Sequence, residues 1–316
     1  MRVRRARGRA GADAGALTAA GAAFLDPSGL LRPGIPFCPP GGDAGTGMVA
    51  TNAVAPRSGN VSAGTSVFAM VVLERPLVHA HHEIDLVSTP AGEPVAMVHC
   101  NNGASELAAW AELFGRFAAA SGSPLDDDAV FEVLLREALE GAPDAGGLLA
   151  YNHLAGEPIA GLADGRPLFV RTPESSFTLA NTMRAQLYGV FATLALGMRV
   201  LHEEGVALDR MHAHGGLFRT AGVAQRLLAA ALDTPVEIGA TASEGGAWGM
   251  AVLAAFRRVA AADSASDLGA YLDGTVFAGA DASVAVPDPA DAAGFAAYLD
   301  RYRAGLAVEA AAVAAL

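Results

Sequence analysis

The apolar pattern of this chain changes period once, near Cys100, and that change limits the folds open to it. Before it, VSAGTSVFAMVVL (Val61–Leu73) is rich in β-branched and apolar residues on either side of AGTS, which predicts two strands joined by a tight glycine turn. EIDLVSTPAGEPVAMVHC (Glu83–Cys100) repeats the plan, with a turn over Pro90–Pro94. After it, apolar residues recur at three- and four-residue steps. Helices are predicted over Ser105–Ala120, Asp126–Glu140 and Ser175–His202, the last carrying Leu179, Met183, Leu187, Val190, Leu194 and Met198 and ending at Gly205. A short strand over Gly146–Tyr151, a strand near Val206–Ala213, a helix over Ala221–Leu232, a strand around Val236 and helices over Gly245–Ala261 and Pro289–Leu316 complete the pattern. Hairpins followed by alternating helix and strand predict an α/β domain with a mixed sheet. Ahead of them, residues 11–40 read as a helical stretch (Ala12–Phe24), a DPSG turn at Asp26–Gly29 and a Pro/Gly-rich connector.

Charge removes several functions. The net charge is −12, and such an acidic chain lacks the basic face that nucleic acid requires and repels anionic lipid. All 21 cationic residues are arginine. Without lysine there is no P-loop lysine and no Schiff base, so any phosphate must be met by backbone N–H groups, hydroxyls, arginine or a metal. Cys38 and Cys100 are too few for a disulfide scaffold or a zinc site and suit a reducing cytoplasm. No apolar run approaches membrane-spanning length. The opening MRVRRARGRAG has no apolar h-region behind it, which argues against a secretory signal; it reads as a start inside a longer frame.

Four short stretches carry chemistry beside plainer meanings. GNVSAGTS (Gly59–Ser66) places Gly64, Thr65 and Ser66 at a hairpin tip, with Gly64 expected at positive φ. It reads either as an anion-binding nest or as an ordinary turn. Gly215 and Gly216 in HAHGGLFRT sit between a strand and a helix, where they either let a flat ligand approach or merely punctuate the chain. In EGGAWGMAVLAA, Ala247, Trp248 and Gly249 permit close helix packing or a ligand contact. Asp43 in GGDAGTG (Gly41–Gly47) serves turn chemistry unless the turn faces a site. The run HAHHE (His79–Glu83) is read as an exposed loop between hairpins rather than a zinc site, because it offers no i, i+4 pair on a helix; no metal ligands are assigned.

The order GGDAGTG, SAGTS, the helix containing MRA (Met183–Ala185), GGLFRT with AQRLLAAALDTPV, then EGGAWGMA resembles the carboxy-terminal part of the FGGY family of carbohydrate kinases, in its ribulokinase- and xylulokinase-like members, over about residues 10–315. The resemblance implies a ribonuclease H-like domain of the actin-like ATPase superfamily. It implies residues 1–42 as a remnant of an amino-terminal domain with its hinge, and 43–316 as a nucleotide-binding domain with a helical tail. It implies ATP and Mg²⁺ as cofactors, a ketopentose or polyol as substrate, and a cytoplasmic enzyme moving the γ-phosphoryl group to a sugar hydroxyl. Asp43 matches the catalytic base; Gly64, Thr65 and Ser66 the phosphate hairpin; Gly215 and Gly216 the adenosine motif; Ala247, Trp248 and Gly249 the stretch closing the nucleotide pocket. The family's first domain, with its own phosphate hairpin and magnesium aspartate, has no counterpart in these residues. A homodimer, or association with a separately encoded amino-terminal domain, is therefore expected. A non-catalytic nucleotide-binding remnant and an actin- or chaperone-like ATPase stand as alternatives.

Overall fold

The computed structural model describes residues 8–240 and 245–316. Its sheet grows from the two predicted hairpins. Strands β1 (Ser58–Ala63) and β2 (Val67–Val72) pair antiparallel, from Gly59 opposite Val71 to Ala63 opposite Val67. Strands β3 (Ile84–Ser88) and β4 (Pro94–Cys100) form the second hairpin, and β4 lies antiparallel to β2. On the other side of β1 runs β7 (Arg210–His214), parallel to it, followed by the parallel β8 (Val236–Gly239) and the antiparallel edge β9 (Ala282–Ala285). The order is β3-β4-β2-β1-β7-β8-β9. Three antiparallel strands continued by two parallel ones, β4-β2-β1-β7-β8, are the ribonuclease H-like arrangement expected above. A separate small ribbon joins β5 (Leu149–Tyr151) to β6 (Leu168–Val170).

Both faces of the sheet are covered, so its inner strands are apolar on both sides. Val67, Ala69 and Val71 of β2 face one core, while Met70 and Val72 face the other. The first core is roofed by α3 (Ser105–Ala120), α4 (Asp127–Glu137), α5 (Leu179–Glu203), α6 (Val223–Leu232) and α9 (Pro289–Ala315). Helix α5 runs through its middle, capped by the Thr178 hydroxyl and buried on all sides from Asn181 to Ala195. That is why its pattern is apolar beyond a single stripe. Arg184, 1% exposed, donates from Nη1 to Asp291 Oδ1 at 2.9 Å, and Arg226 Nε donates to Asp291 Oδ2 at 2.6 Å. One carboxylate thereby locks α9 onto α5 and α6.

The second core lies under α2 (Asp43–Ala50), α7 (Gly245–Ala262) and the short α8 (Leu268–Tyr271). GGDAGTG is therefore not a turn at Asp43, as expected, but the start of a helix with Gly42 at its N-cap. Four of its first five residues, Asp43, Gly45, Thr46 and Gly47, are weak helix formers, and α7 supplies what they lack. A Cβ at Gly249 would lie 1.9 Å from the Thr46 carbonyl oxygen, so the two helix backbones nearly touch. The predicted helix over Ala12–Phe24 shortens to α1 (Ala19–Leu25), with Thr18 as its cap. Strand β7 begins at Arg210 rather than Val206, because Gly205–Leu208 complete the turn out of α5. The segment ahead of α2 leaves Phe24 and Leu30 more than four-fifths exposed.

Candidate functional site

The hairpin tip Gly64–Ser66 and the diglycine at Gly215–Gly216, separated by some 150 residues, meet at one end of the sheet. Gly215 follows β7 directly, with φ of 113°, a conformation L side chains rarely adopt. A Cβ there would sit 2.4 Å from the Ala63 carbonyl oxygen, so this turn is pressed against the foot of the hairpin. Between them opens a cavity of about 650 Å³, within the range of small-ligand sites. Gly64, Thr65 and Gly216 line it; Ser66 completes the tip outside the wall.

Gly64 does not have the positive φ expected for it. Its role is spatial. A Cβ at Gly64 or at Gly216 would meet no protein atom within 4 Å, so both positions keep a face of the cavity bare. The Gly64 N–H is spent on the Ser66 carbonyl at 3.0 Å. Among the described residues, the N–H groups of Thr65 and Ser66 have no acceptor, which leaves two adjacent donors at the tip for an anion.

The hairpin does not hold this shape alone. The Gly103 N–H donates to the Thr65 carbonyl and the Ala104 N–H to the Gly64 carbonyl, both at 2.8 Å. Gly103 is in turn fixed by Asn152 Nδ2, which donates to its carbonyl at 2.8 Å. The neighbouring Asn102 is buried. Its Oδ1 accepts from the N–H groups of Leu154 and Ala155, and its Nδ2 donates to the buried Glu157 Oε2 at 3.1 Å. Sequence reasoning missed this buttress, although Asn101-Asn102-Gly103 after a strand is a turn signal.

The far wall is apolar. Phe131 and Leu135 project from α4 one turn apart, with Ala108 of α3 beside them. This pair was visible only as an amphipathic helix. Arg219 and Arg136 stand at the rim; Arg136 pairs with Glu132 at 2.9 Å on the exposed side of α4. Together these elements offer an apolar face, bare backbone, the free N–H of Thr65 with that of Ser66 beside it, and both arginines and carboxylates (Asp128, Glu132), a set that can take a nucleotide. The one group of three His, Cys, Asp or Glu ligands among the described residues lies elsewhere, at His79, His81 and Glu204. The carboxylates that line this cavity, Asp128 and Glu132, do not form such a group of three.

Asp43 does not line the cavity. It is the first residue of α2, exposed, its Oδ1 accepting from the Ala44 N–H at 2.8 Å. One link joins α2 to the diglycine turn: a Cβ at Gly47 would lie 3.3 Å from His214 Nε2, and His214 immediately precedes Gly215. Burial pushes the His214 imidazole below its ordinary range, so it is a neutral spacer here. Ala247, Trp248 and Gly249 lie on α7, away from this cavity. Gly249 seats on Thr46, and Trp248 borders a second cavity of about 500 Å³ on the α2–α7 side. Close packing, one of the two meanings open to that motif, is what the structure displays at Gly249.

A family model for the carboxy-terminal domain of the FGGY carbohydrate kinases matches residues 59–257. Xylulose kinase from Rhodospirillum rubrum is similar at 21% identity and a TM-score of 0.75, over 95% of this chain and 56% of that chain. Xylulose kinase from Bifidobacterium adolescentis is similar at 21% identity and 0.60, over 83% and 47%. Glycerol kinase from Plasmodium falciparum, solved with ADP, is similar at 14% identity and 0.63, over 87% and 51%. No curated protein matches. The chain spans about half the length of these solved relatives. The likeness establishes the actin-like ATPase fold, and since the family model covers more than half of its residues, the chain belongs to the FGGY family of carbohydrate kinases.

Proposed function

We propose that this chain is the nucleotide-binding half of an ATP-dependent carbohydrate kinase, which transfers the γ-phosphoryl group to a hydroxyl of a ketopentose or polyol. The observation that carries the proposal is the cavity where the Gly64–Ser66 tip faces the Gly216 turn. Phe131 and Leu135 receive the adenine face. Gly216 leaves room for the ribose, and the free N–H groups of Thr65 and Ser66 take phosphate oxygens. Mg²⁺ on the nucleotide offsets phosphate charge during transfer. Asp43 accepts the proton of the attacking hydroxyl. An aspartate of ordinary basicity suffices, because the hydroxyl loses its proton late in a loose transition state.

Phosphoryl transfer depends on positioning and charge compensation around the γ-phosphate. The described residues form one wall of that site. An amino-terminal domain, in a separate chain or a longer one, supplies the second wall and closes the cleft against water. Among the described residues no helix is long and apolar enough to cross a membrane.

The test is calorimetry of ATP and ADP on the 316-residue chain, with Phe131→Ala as the variant, followed by a coupled ADP-release assay against ketopentoses and polyols. Nucleotide binding that weakens at least tenfold in Phe131→Ala supports the site. Absence of binding at millimolar ATP overturns it. ADP release that no sugar accelerates, once an amino-terminal domain is supplied, would instead favour an actin- or chaperone-like ATPase.

A further inference from the structure

The run HAHHE plays no part in the nucleotide site. It lies in the loop between β2 and β3, at the end of the sheet away from the Gly64–Ser66 tip. There it meets a residue from more than 120 positions downstream. Glu204, just past the last turn of α5, sends its side chain into the loop, where only 4% of it stays exposed. Its Oε2 accepts from the Val78 N–H at 2.8 Å and its Oε1 from the His79 N–H at 3.1 Å. Two main-chain donors thus fix both carboxylate oxygens in place.

The same Oε1 lies 3.0 Å from His79 Nδ1 and 2.7 Å from His81 Nε2. One oxygen and two ring nitrogens therefore converge, all within 4.8 Å of one another. Arg75 Nη2 donates to the Glu204 main-chain carbonyl at 3.1 Å. His79, 74% exposed at its side chain, leaves one side of the cluster open to water.

We propose that His79, His81 and Glu204 form a binding site for a divalent transition-metal ion of the zinc class, with water in the remaining position. A tetrahedral ion with bonds of about 2.0–2.1 Å sets its ligands about 3.3 Å apart. The two nitrogen–oxygen separations, 2.7 and 3.0 Å, lie just inside that value, and all three ligand atoms lie within 4.8 Å of one another. Two imidazoles and one carboxylate suit Zn²⁺ or Ni²⁺ and are a poor match for Mg²⁺, which prefers oxygen ligands and retains its water. The ion would staple the β2–β3 loop to the end of α5. Its position separates it from the nucleotide site, and the proposal does not rest on the kinase assignment. Among the described residues, neither free ring nitrogen has a second partner to orient it, so affinity is expected in the micromolar rather than the nanomolar range.

The test uses the untagged 316-residue chain, stripped with chelator and titrated with ZnCl₂ in the presence of millimolar Mg²⁺. The expected result is one equivalent bound and a thermal midpoint raised by about 5 °C at a hundredfold excess over Kd. His81→Ala should weaken binding roughly 10- to 100-fold, and His79→Ala/His81→Ala should abolish both effects. His82→Ala should change neither, since His82 turns to Glu83 instead. Any of three results overturns the proposal: no binding to the wild-type chain below about millimolar zinc, full binding by the double variant, or an equal loss in His82→Ala. ATP affinity, measured alongside, should stay constant throughout.

Discussion

A single methyl group at Gly103 is expected to unseat the Gly64–Ser66 hairpin, while the same methyl at Gly64 leaves the fold intact and spoils the proposed site. At Gly103 the added carbon would lie 2.3 Å from the Gly64 carbonyl oxygen and 2.9 Å from the carbonyl carbons of Thr65 and Ser66. All three are main-chain atoms, so no side chain can rotate away. Reaching an ordinary C···O contact requires the hairpin to retreat by about 0.9 Å. That stretches the Gly103-to-Thr65 and Ala104-to-Gly64 hydrogen bonds from 2.8 Å to about 3.7 Å, beyond useful range. Losing two such bonds at about 1 kcal/mol each, plus about 1–2 kcal/mol of overpacking, predicts a loss of about 3–4 kcal/mol. For a chain of this length that is a fall in Tm of about 4–6 °C. At Gly64 the methyl meets no protein atom within 4 Å and φ is not positive, so stability should hold within about 0.5 kcal/mol. The methyl instead occupies the space beside the free N–H groups of Thr65 and Ser66. Displacing one charge-assisted hydrogen bond, about 1.5–3 kcal/mol, weakens nucleotide binding about 10- to 150-fold. Thermal melts and ADP calorimetry on Gly103→Ala and Gly64→Ala separate the two effects. Wild-type melting in the first, or wild-type affinity in the second, would refute the reasoning.

In the chain complemented with an FGGY amino-terminal domain, Asp43→Asn should lower sugar-dependent turnover roughly 10²–10⁴-fold with ATP affinity little changed; near-normal turnover would remove Asp43 as the base. Asp291→Ala strands the buried Arg184 and should cost about 3–5 kcal/mol, read as a lower urea midpoint at constant slope, whereas a shift below 1 kcal/mol would show that α9 is held by its aromatic contacts alone. His212 and His214 are buried, and desolvation lowers both below their ordinary value, so the unfolded chain binds more protons than the folded one just below pH 6.5. Stability should therefore fall as pH drops from 7.5 to 5.5, and His212→Gln/His214→Asn should flatten that slope in melts across the range; an unchanged slope would place the titrating groups elsewhere.

What could be read in advance followed from repetition. The two hairpins announce themselves through β-branched runs around glycine turns, and α5 through a pattern sustained over seven turns. Strands β6 and β9 are three and four residues long and largely half-buried or exposed, so no alternation marks them. Helix α2 was hidden because its stability comes from the Thr46–Gly249 contact, a tertiary partner some 200 residues away that no local propensity reflects. That the hairpin and the diglycine meet at one end of the sheet could not be read from either motif, because β1 and β7 pair across some 150 residues, and of Ala247–Gly249 the structure displays close packing at Gly249. The meeting of Glu204 with His79 and His81 depends on where α5 ends against the β2–β3 loop, which only the assembled sheet decides.

The parallel pairing of β1 with β7 has a consequence for how the chain comes into being. Ser58 is partnered by Arg210, about 150 residues later, while β1 and β2 are joined by a three-residue turn. Closing the longer loop costs about 3.5 kcal/mol more in chain entropy. The four-stranded β1–β4 unit can therefore form from local contacts while the β7 side of β1 still waits. At translation speeds of about 5–20 residues per second, Arg210 follows Ser58 from the ribosome by about 8–30 s. Throughout that interval the β7 side of β1 is an unpaired strand edge, and α3, α4 and α5 emerge only in the course of it to cover the face bearing Val61 and Ala63; until then the edge is a template for pairing with another nascent chain. The period of greatest aggregation risk for this protein falls during its own synthesis, and it ends when α5 docks and β7 closes the edge.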